Sequence, residues 1–467
     1  MSTHHGQLYL RDIVPPRSRY YERGKFGRLF PNLPPFAADS ESLRAALNEI
    51  GKPGGIMDKG DNNPDNPNIS AGFTFLGQFL DHDITFDPTS SLERQNDPES
   101  IANFRTPALE LDNVYGSGRG ANPHLYDQLN PGKLLIDAGF ENDLPRNSQN
   151  IAIIGDPRND ENTIVSQLHL SFIKFHNAVL DLVMKTIPNP NSAFEEAQRL
   201  VRWHYQWIVL HEFLPLTVGQ TMVDDILKNK RKFYNWRNEP FIPVEFAVAA
   251  YRFGHSQVRP FYAANDQFRA PIFNAELDSN EPDPDDLRGG KRAPRRFVEW
   301  SGFFDLGGQI QPSKLIDTTL STPLFTLPFI PPNMPGNPRS LAQRNLLRHI
   351  TFNLPSGQRV AKAMCVKPLA PKDFADLSPF GLDKETPLWF YILREAEKVA
   401  EGKTLGPVGG RIVAEVFIGL LEGDRMSYLR QNPEWVPTLP SAKKNEFRMA
   451  DLVTFFQRGV DANISCE

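Results

Sequence analysis

The chain has 467 residues, 40% of them apolar and 23% charged, and a formal net charge of -5. That balance supports a large buried core and gives no electrostatic case for nucleic acid. Its two cysteines, Cys365 and Cys466, exclude a disulfide framework and a cysteine-rich zinc site.

Met1 to Leu10 carries no apolar leader core, and no stretch approaches the roughly 18 uncharged apolar residues of a membrane helix. The expectation is a chain without a membrane span, cytoplasmic or exported without a cleavable signal peptide. Residues 1–40 read as a polar, proline-containing arm. Asn62 to Asn68 is turn chemistry. Ile69 to Phe86 is apolar enough for a buried helix. Asp156-Pro157 reads as an N-cap with proline at the first helical position. The helix it opens is expected to run through Val165, Leu168, Phe172, Phe175, Val179 and Leu182 and stop near Pro188. A second long helix is predicted at 193–213, and Pro243 opens another to about Gln257. Residues 272–296 read as an excursion loop. The basic clusters Lys228 to Lys232 and Lys291 to Arg296 read as solvated surface. Later helices are expected at 338–349, 386–401 and 407–422. With no convincing strand alternation, the class is mainly α, with long loops and little strand. His169, His176, His204 and His211 are assigned to packing.

Four polar constellations interrupt this apolar pattern. Gln78, Asp81 and His82 stand at i, i+3 and i+4 and share a helix face, with Asp83 pointing away. A histidine satisfied by a neighbouring acid is the bland alternative. Arg158 and Glu161, three apart, by themselves read as an intrahelical ion pair. Tyr251-Arg252-Phe253-Gly254-His255 ends an apolar helix, and Gly254 leaves room beside the imidazole for something flat. Asn345 and Arg348 share a face of a later helix. There Asn345 can accept from an imidazole N–H and Arg348 can meet a carboxylate.

Taken in order, Gln78 to Asp83, Gly155 to Glu161, Arg252 to His255 and Asn345 to Arg348 resemble the signature blocks of the animal haem peroxidase (peroxidase-cyclooxygenase) superfamily. Smaller echoes are Phe213 to Leu216 and Leu405 to Asp424. The likeness extends from about residue 70 to about 425. It implies one large haem peroxidase domain, residues 41–467, because its haem contacts are spread along the chain. By the same resemblance His82 is the distal base, Arg158 the distal cation, and Gln78 borders the peroxide and halide site. Asp81 and Glu161 match residues that form ester links to a haem b derivative. His255 is the haem-iron ligand, Asn345 orients it, and Arg252 and Arg348 meet haem propionates. Thr106 to Gly116 resembles the family's calcium loop, so that Thr106, the carbonyl of Ala108, Glu110 and Asp112 would bind Ca²⁺ together with Asp83. Glu110 is longer than the family's usual Asp, and Asp112 replaces a Ser. Asn162 stands where some members carry a Met bonded to haem, which implies at most two covalent links.

The implied activity is reduction of hydrogen peroxide through Compound I, with a halide, thiocyanate or small aromatic or phenolic donor oxidised. One alternative is a fatty-acid dioxygenase, whose radical tyrosine would stand three residues before His255; that position is Arg252. Another is a non-catalytic haem- or calcium-binding protein. The third is a helical protein without a cofactor. The sequence does not give the oligomeric state.

Overall fold

A computed structural model of the chain describes residues 26–457 apart from 87–102, 104, 138, 140–141, 237–238, 277–282 and 332–335. The leader reading at Met1 to Leu10, most of the expected arm and Cys466 lie outside the described residues. Helices dominate. Seven of those described have eleven residues or more: α1 Glu41–Gly51, α2 Ala71–Ile84, α3 Thr163–Met184, α4 Pro190–Ile208, α5 Leu341–Thr351, α6 Leu388–Ala400 and α7 Pro407–Gly423. Strand is confined to three two-stranded ladders: Phe26–Gly27 with Ile242–Pro243, Asp65–Ser70 with Pro312–Lys314, and Phe261–Ala263 with Arg269–Pro271. No helix among the described residues is long and apolar enough to cross a membrane.

α2 is apolar on nearly every side, as a helix at the centre of a large core must be. Phe79 stacks on Phe172 of α3 with ring centroids 4.4 Å apart. From another side, the Tyr251 hydroxyl donates to the Gly77 carbonyl at 3.1 Å. The acids and imidazole near its C-terminal end, Asp81, His82 and Asp83, are buried with it.

Two expected helices are broken, each at a place that matters for the site. The helix predicted from Asp156-Pro157 is two elements. Asp156 caps a separate 3₁₀ turn, Pro157–Asp160, accepting from the Arg158 N–H at 2.9 Å. The chain then opens at Asn162, whose side-chain oxygen accepts from the N–H groups of Ile164 and Val165 and starts α3. Two capping residues six apart make two helix starts, because each cap needs extended backbone. α3 ends at Met184, short of Pro188.

Likewise, the helix expected from Pro243 is a wide turn, Glu245–Ala249, followed by a 3₁₀ turn, Ala250–His255, with the break at Ala249. In a 3₁₀ turn, side chains at i and i+3 eclipse. Arg252 and His255 therefore project from one side. α4 begins at Asn189-Pro190 and widens into a π turn, Val209–Phe213, just before Pro215, which has no N–H to continue the ladder.

The loop at 272–296 is irregular as expected, but its basic cluster is not solvated. Arg292 and Arg296 are buried and both donate to Thr163 Oγ1, at 2.6 and 3.2 Å. Arg296 also donates to the carbonyls of Asp286 and Arg288, each at 2.7 Å. Loop carbonyls and the Thr163 hydroxyl supply the acceptors that let these guanidiniums be buried. In the other cluster Arg231 pairs with Glu422 at 2.6 Å and covers Trp236.

Candidate active site

α2, the Pro157–Asp160 turn, the Ala250–His255 turn and α5 converge on one cavity of about 380 Å³. Gln78, Asp81, His82, Arg158, Glu161, Arg252, His255, Asn345 and Arg348 all line it. Residues separated by more than 260 positions are thus gathered round a single space. A second, larger cavity of about 750 Å³ shares only Phe73 with it and holds none of these side chains.

On one wall stands His82. Its Nδ1 meets Asn159 Oδ1 at 2.7 Å. Burial, with the Arg158 charge adding to it, pushes the imidazole down to about 4, so the ring is neutral near pH 7. Arg158 does not pair with Glu161, the partner its i, i+3 spacing suggests. Its Nε and Nη2 donate to Asp156 at 3.1 and 2.9 Å, and Nη2 reaches the carbonyls of His82 and Thr85. Asp156 is fully buried and also takes Arg105. Burial alone would raise its carboxyl, but the two guanidiniums outweigh that and hold it far below the ordinary carboxylate range. Glu161 accepts from Gln78 Nε2 at 3.2 Å, and Gln78 Oε1 accepts from Asn162 at 3.1 Å. Burial raises Glu161 to about 7. Burial acts the same way on Asp81, but Arg252, at 3.6 Å, together with Arg158 and His82, brings it below its ordinary value.

The same lining carries His255 on the Ala250–His255 turn, pushed by burial and by Arg252 down to about 3. Its Nδ1 lies 2.7 Å from Nδ2 of Asn345. The expectation had the carboxamide oxygen there. A half turn of the amide exchanges the two atoms and lets Nδ1–H donate, which frees Nε2 to bind a metal. A methyl group at Gly254 would meet only open space. The Arg252 carbonyl accepts from Trp389 Nε1 at 3.1 Å, which ties this turn to α6. Thr74 Oγ1, buried and with no hydrogen-bond partner among the described residues, also faces the cavity.

Asp83, Glu110 and Asp112 lie together in the interior behind α2. Asp83 Oδ2 accepts from Leu111 N–H at 3.1 Å and from the Tyr205 hydroxyl at 3.0 Å. Asp83 Oδ1 and Glu110 Oε1 have no donor. Burial raises all three carboxyls, Asp83 to about 6 and Asp112 to about 7, and repulsion from Asp83 lifts Asp112 further. Thr106 Oγ1 is 3.4 Å from Asp112, and Ala108 is buried nearby in the loop. Among the described residues, no three His, Cys, Asp or Glu side chains form a ready metal cluster by themselves.

Sequence reasoning missed Asn159, Asp156 and Thr74. The signal for Asp156 was its capping position; Asn159 carried none beyond its place beside Arg158.

Residues 89–290 match the family model described as animal haem peroxidase. This match and the relatives that follow support a place in the animal haem peroxidase superfamily. Over 311 residues it is 26% identical to peroxidasin of Drosophila melanogaster, covering 62% of this chain and 19% of that protein. Over 268 residues it is 26% identical to mouse myeloperoxidase, covering 42% of this chain and 37% of the relative. The chain thus spans well under half the length of these relatives. Among solved structures, peroxidase A from Dictyostelium discoideum shares the fold with a TM-score of 0.63 at 18% identity, covering 88% of this chain and 89% of that one. A fatty acid alpha-dioxygenase from Oryza sativa shares it with a TM-score of 0.59 at 16% identity, covering 86% and 76%. The family match implies haem as the cofactor.

Proposed function

We propose that the chain is a haem peroxidase in which His82 and Arg158 act together on hydrogen peroxide and His255 holds the haem iron. The observation that carries this reading is the convergence of nine separated polar residues on one cavity, two neutral imidazoles among them.

The residues fit the group. The open space beside Gly254, the orphaned Thr74 hydroxyl and two histidines without charge suit a flat macrocycle with a metal at its centre. His255 would be the iron ligand through Nε2, oriented by Asn345. Arg252 and Arg348 would meet the propionates, and Asp81 and Glu161 are the candidates for ester links. When bound, haem supplies the redox chemistry. His82, neutral, accepts a proton from peroxide and returns it to the departing oxygen. Arg158 stabilises the negative charge that develops there. Gln78, held at both ends by Glu161 and Asn162, borders the peroxide and small-anion site. Donors of the halide, thiocyanate or small phenol class fit a site with a fixed cation and little room.

Asp83, Glu110 and Asp112, with Thr106 and the Ala108 carbonyl, are the candidate Ca²⁺ ligands. Two buried carboxylate oxygens without donors, and three acids that repel one another, suit a hard divalent cation.

The test is the purified chain reconstituted with haem, assayed with peroxide and a panel of bromide, thiocyanate and a phenol. Arg158→Ala should keep the Soret band and slow the peroxide step by roughly 10²–10³-fold. Unchanged peroxide kinetics in that variant would remove Arg158 from the mechanism. The dioxygenase alternative has the shared fold in its favour. Against it, Arg252 stands in the radical position and donates to the Ala247 carbonyl at 2.8 Å. Oxygen uptake with an unsaturated fatty acid would revive it.

A further inference from the structure

Behind His82 lies a hydrogen-bonded row of three buried side chains. His82 Nδ1 meets Asn159 Oδ1 at 2.7 Å, and Asn159 Nδ2 meets His169 Nδ1 at 2.9 Å. His82 is 5% exposed, and Asn159 and His169 are fully buried. A carboxamide oxygen only accepts and its nitrogen only donates. In this arrangement the His82 proton therefore sits on Nδ1 and its Nε2 keeps the lone pair. His169 is bare at Nδ1.

We propose that Asn159 is a positioning residue that selects the proton-accepting tautomer of His82, and that His169 holds the Asn159 carboxamide in the orientation required. The proposal rests on the reading of His82 as the base and assigns His169, taken from sequence as packing, a part in the site.

The geometry carries it in three ways. Asn159 follows Arg158 on the Pro157–Asp160 turn, so one turn delivers the cation and fixes the base. Both ends of the Asn159 carboxamide are engaged. A half turn would therefore force both imidazoles to exchange tautomers, whereas at Asn345 it would change His255 alone. Finally, His169 Nε2 has no hydrogen-bond partner among the described residues, so the bond to Asn159 is the polar contact that fixes that ring. The opposite tautomer of His82 would present an N–H to the cavity and could not take a proton from a bound acid at that atom.

The test uses the full chain, haem-loaded and made diamagnetic as its reduced carbon monoxide complex, with ¹⁵N-labelled histidine. The His82 ring signals are identified by their loss in His82→Ala. Nitrogen shifts report directly which ring atom carries the proton. The expected parent spectrum has Nδ1 protonated and Nε2 bare. Asn159→Leu should change the tautomer ratio by about tenfold, the equilibrium effect of one ordinary buried hydrogen bond. Peroxide consumption should fall with it. Asn159→Asp keeps an acceptor for His82 and should restore both. His169→Leu, which frees the carboxamide to turn, should give a mixed tautomer with the Asn159 side chain intact, and serves where Asn159→Leu fails to take up haem. A parent protonated on Nε2, or a His82 tautomer indifferent to both Leu variants, overturns the proposal. A parent with the expected tautomer that leaves peroxide untouched would instead overturn the peroxidase reading and keep the tautomer assignment.

Discussion

Asp156→Asn tests the electrostatic frame of the site most directly. The carboxylate is fully buried, takes Arg105 and Arg158, and caps the turn that carries Arg158 and Asn159. Asparagine caps about as well as aspartate, so the capping contribution is largely retained. The ion pairs are not. Breaking a buried pair by neutralising one partner costs about 3–5 kcal/mol. Arg105 is 4% exposed and carries that cost in full, whereas Arg158 is 28% exposed and is discounted for solvent screening. The expected loss is about 3 kcal/mol, near the lower end of that range. Because Arg158 loses its anchor, the peroxide step should slow as well. Urea unfolding followed by both circular dichroism and tryptophan fluorescence measures the first, and stopped-flow mixing with peroxide the second. A loss below about 1 kcal/mol, the scale of a surface pair, with parent-like peroxide kinetics would refute the account of Asp156 as the common anchor.

Calcium removal should reach the same turn. Gly155 packs where a side chain would strike the carbonyls of Asp112 and Asn113, and Arg105 donates to the Gly155 carbonyl at 3.0 Å. A chelator is therefore expected to lower the urea midpoint and slow the peroxide step together, with both recovering on added Ca²⁺; indifference to the chelator would dismiss the site. In acid, burial holds His176 and His204 neutral down to about 4, against an ordinary value of 6.5. The unfolded chain binds more protons between those values, so stability is full above pH 6.5 and falls as pH drops toward 4, by roughly 3 kcal/mol per histidine. His176→Gln, which can still meet Tyr115 and the Gly132 carbonyl, should flatten that slope; an unchanged slope would place the acid sensitivity elsewhere. Gly289→Ala would drive a methyl group into the Asp160 carbonyl, beside the bond from Gly289 N–H to the Glu161 carbonyl at 2.8 Å. It should cost at least the roughly 1–3 kcal/mol of an overpacked core site, read as a lowered urea midpoint, and a parent-like midpoint would show that the 283–296 loop yields freely.

Much of the site was legible in the chain because its chemistry is local. A glutamine, two acids and a histidine within six residues of an apolar helix are costly to bury, and they announce a polar cavity wherever the fold goes. The capping signal at Asp156, and the helical patterns of α2, α3, α5, α6 and α7, are equally local, since backbone hydrogen bonding within a few residues sets them. What the sequence could not decide was where the helix begun at Asp156 would break and which charges would meet. Arg158 and Glu161 are neighbours by spacing, yet Arg158 turns to Asp156, where Arg105 arrives from fifty residues away. Arg292 and Arg296 look solvated in a row of basic residues and are buried because Thr163 on α3 and carbonyls of their own loop accept from them. Asn159 and His169 acquire meaning only when α3 is laid against α2. Local pattern marked most of the helices but not the breaks at Asn162 and Ala249. The partners of each charge and the proton position on His82 were left to long-range packing, because a buried polar group takes whatever donor or acceptor the folded chain brings within reach.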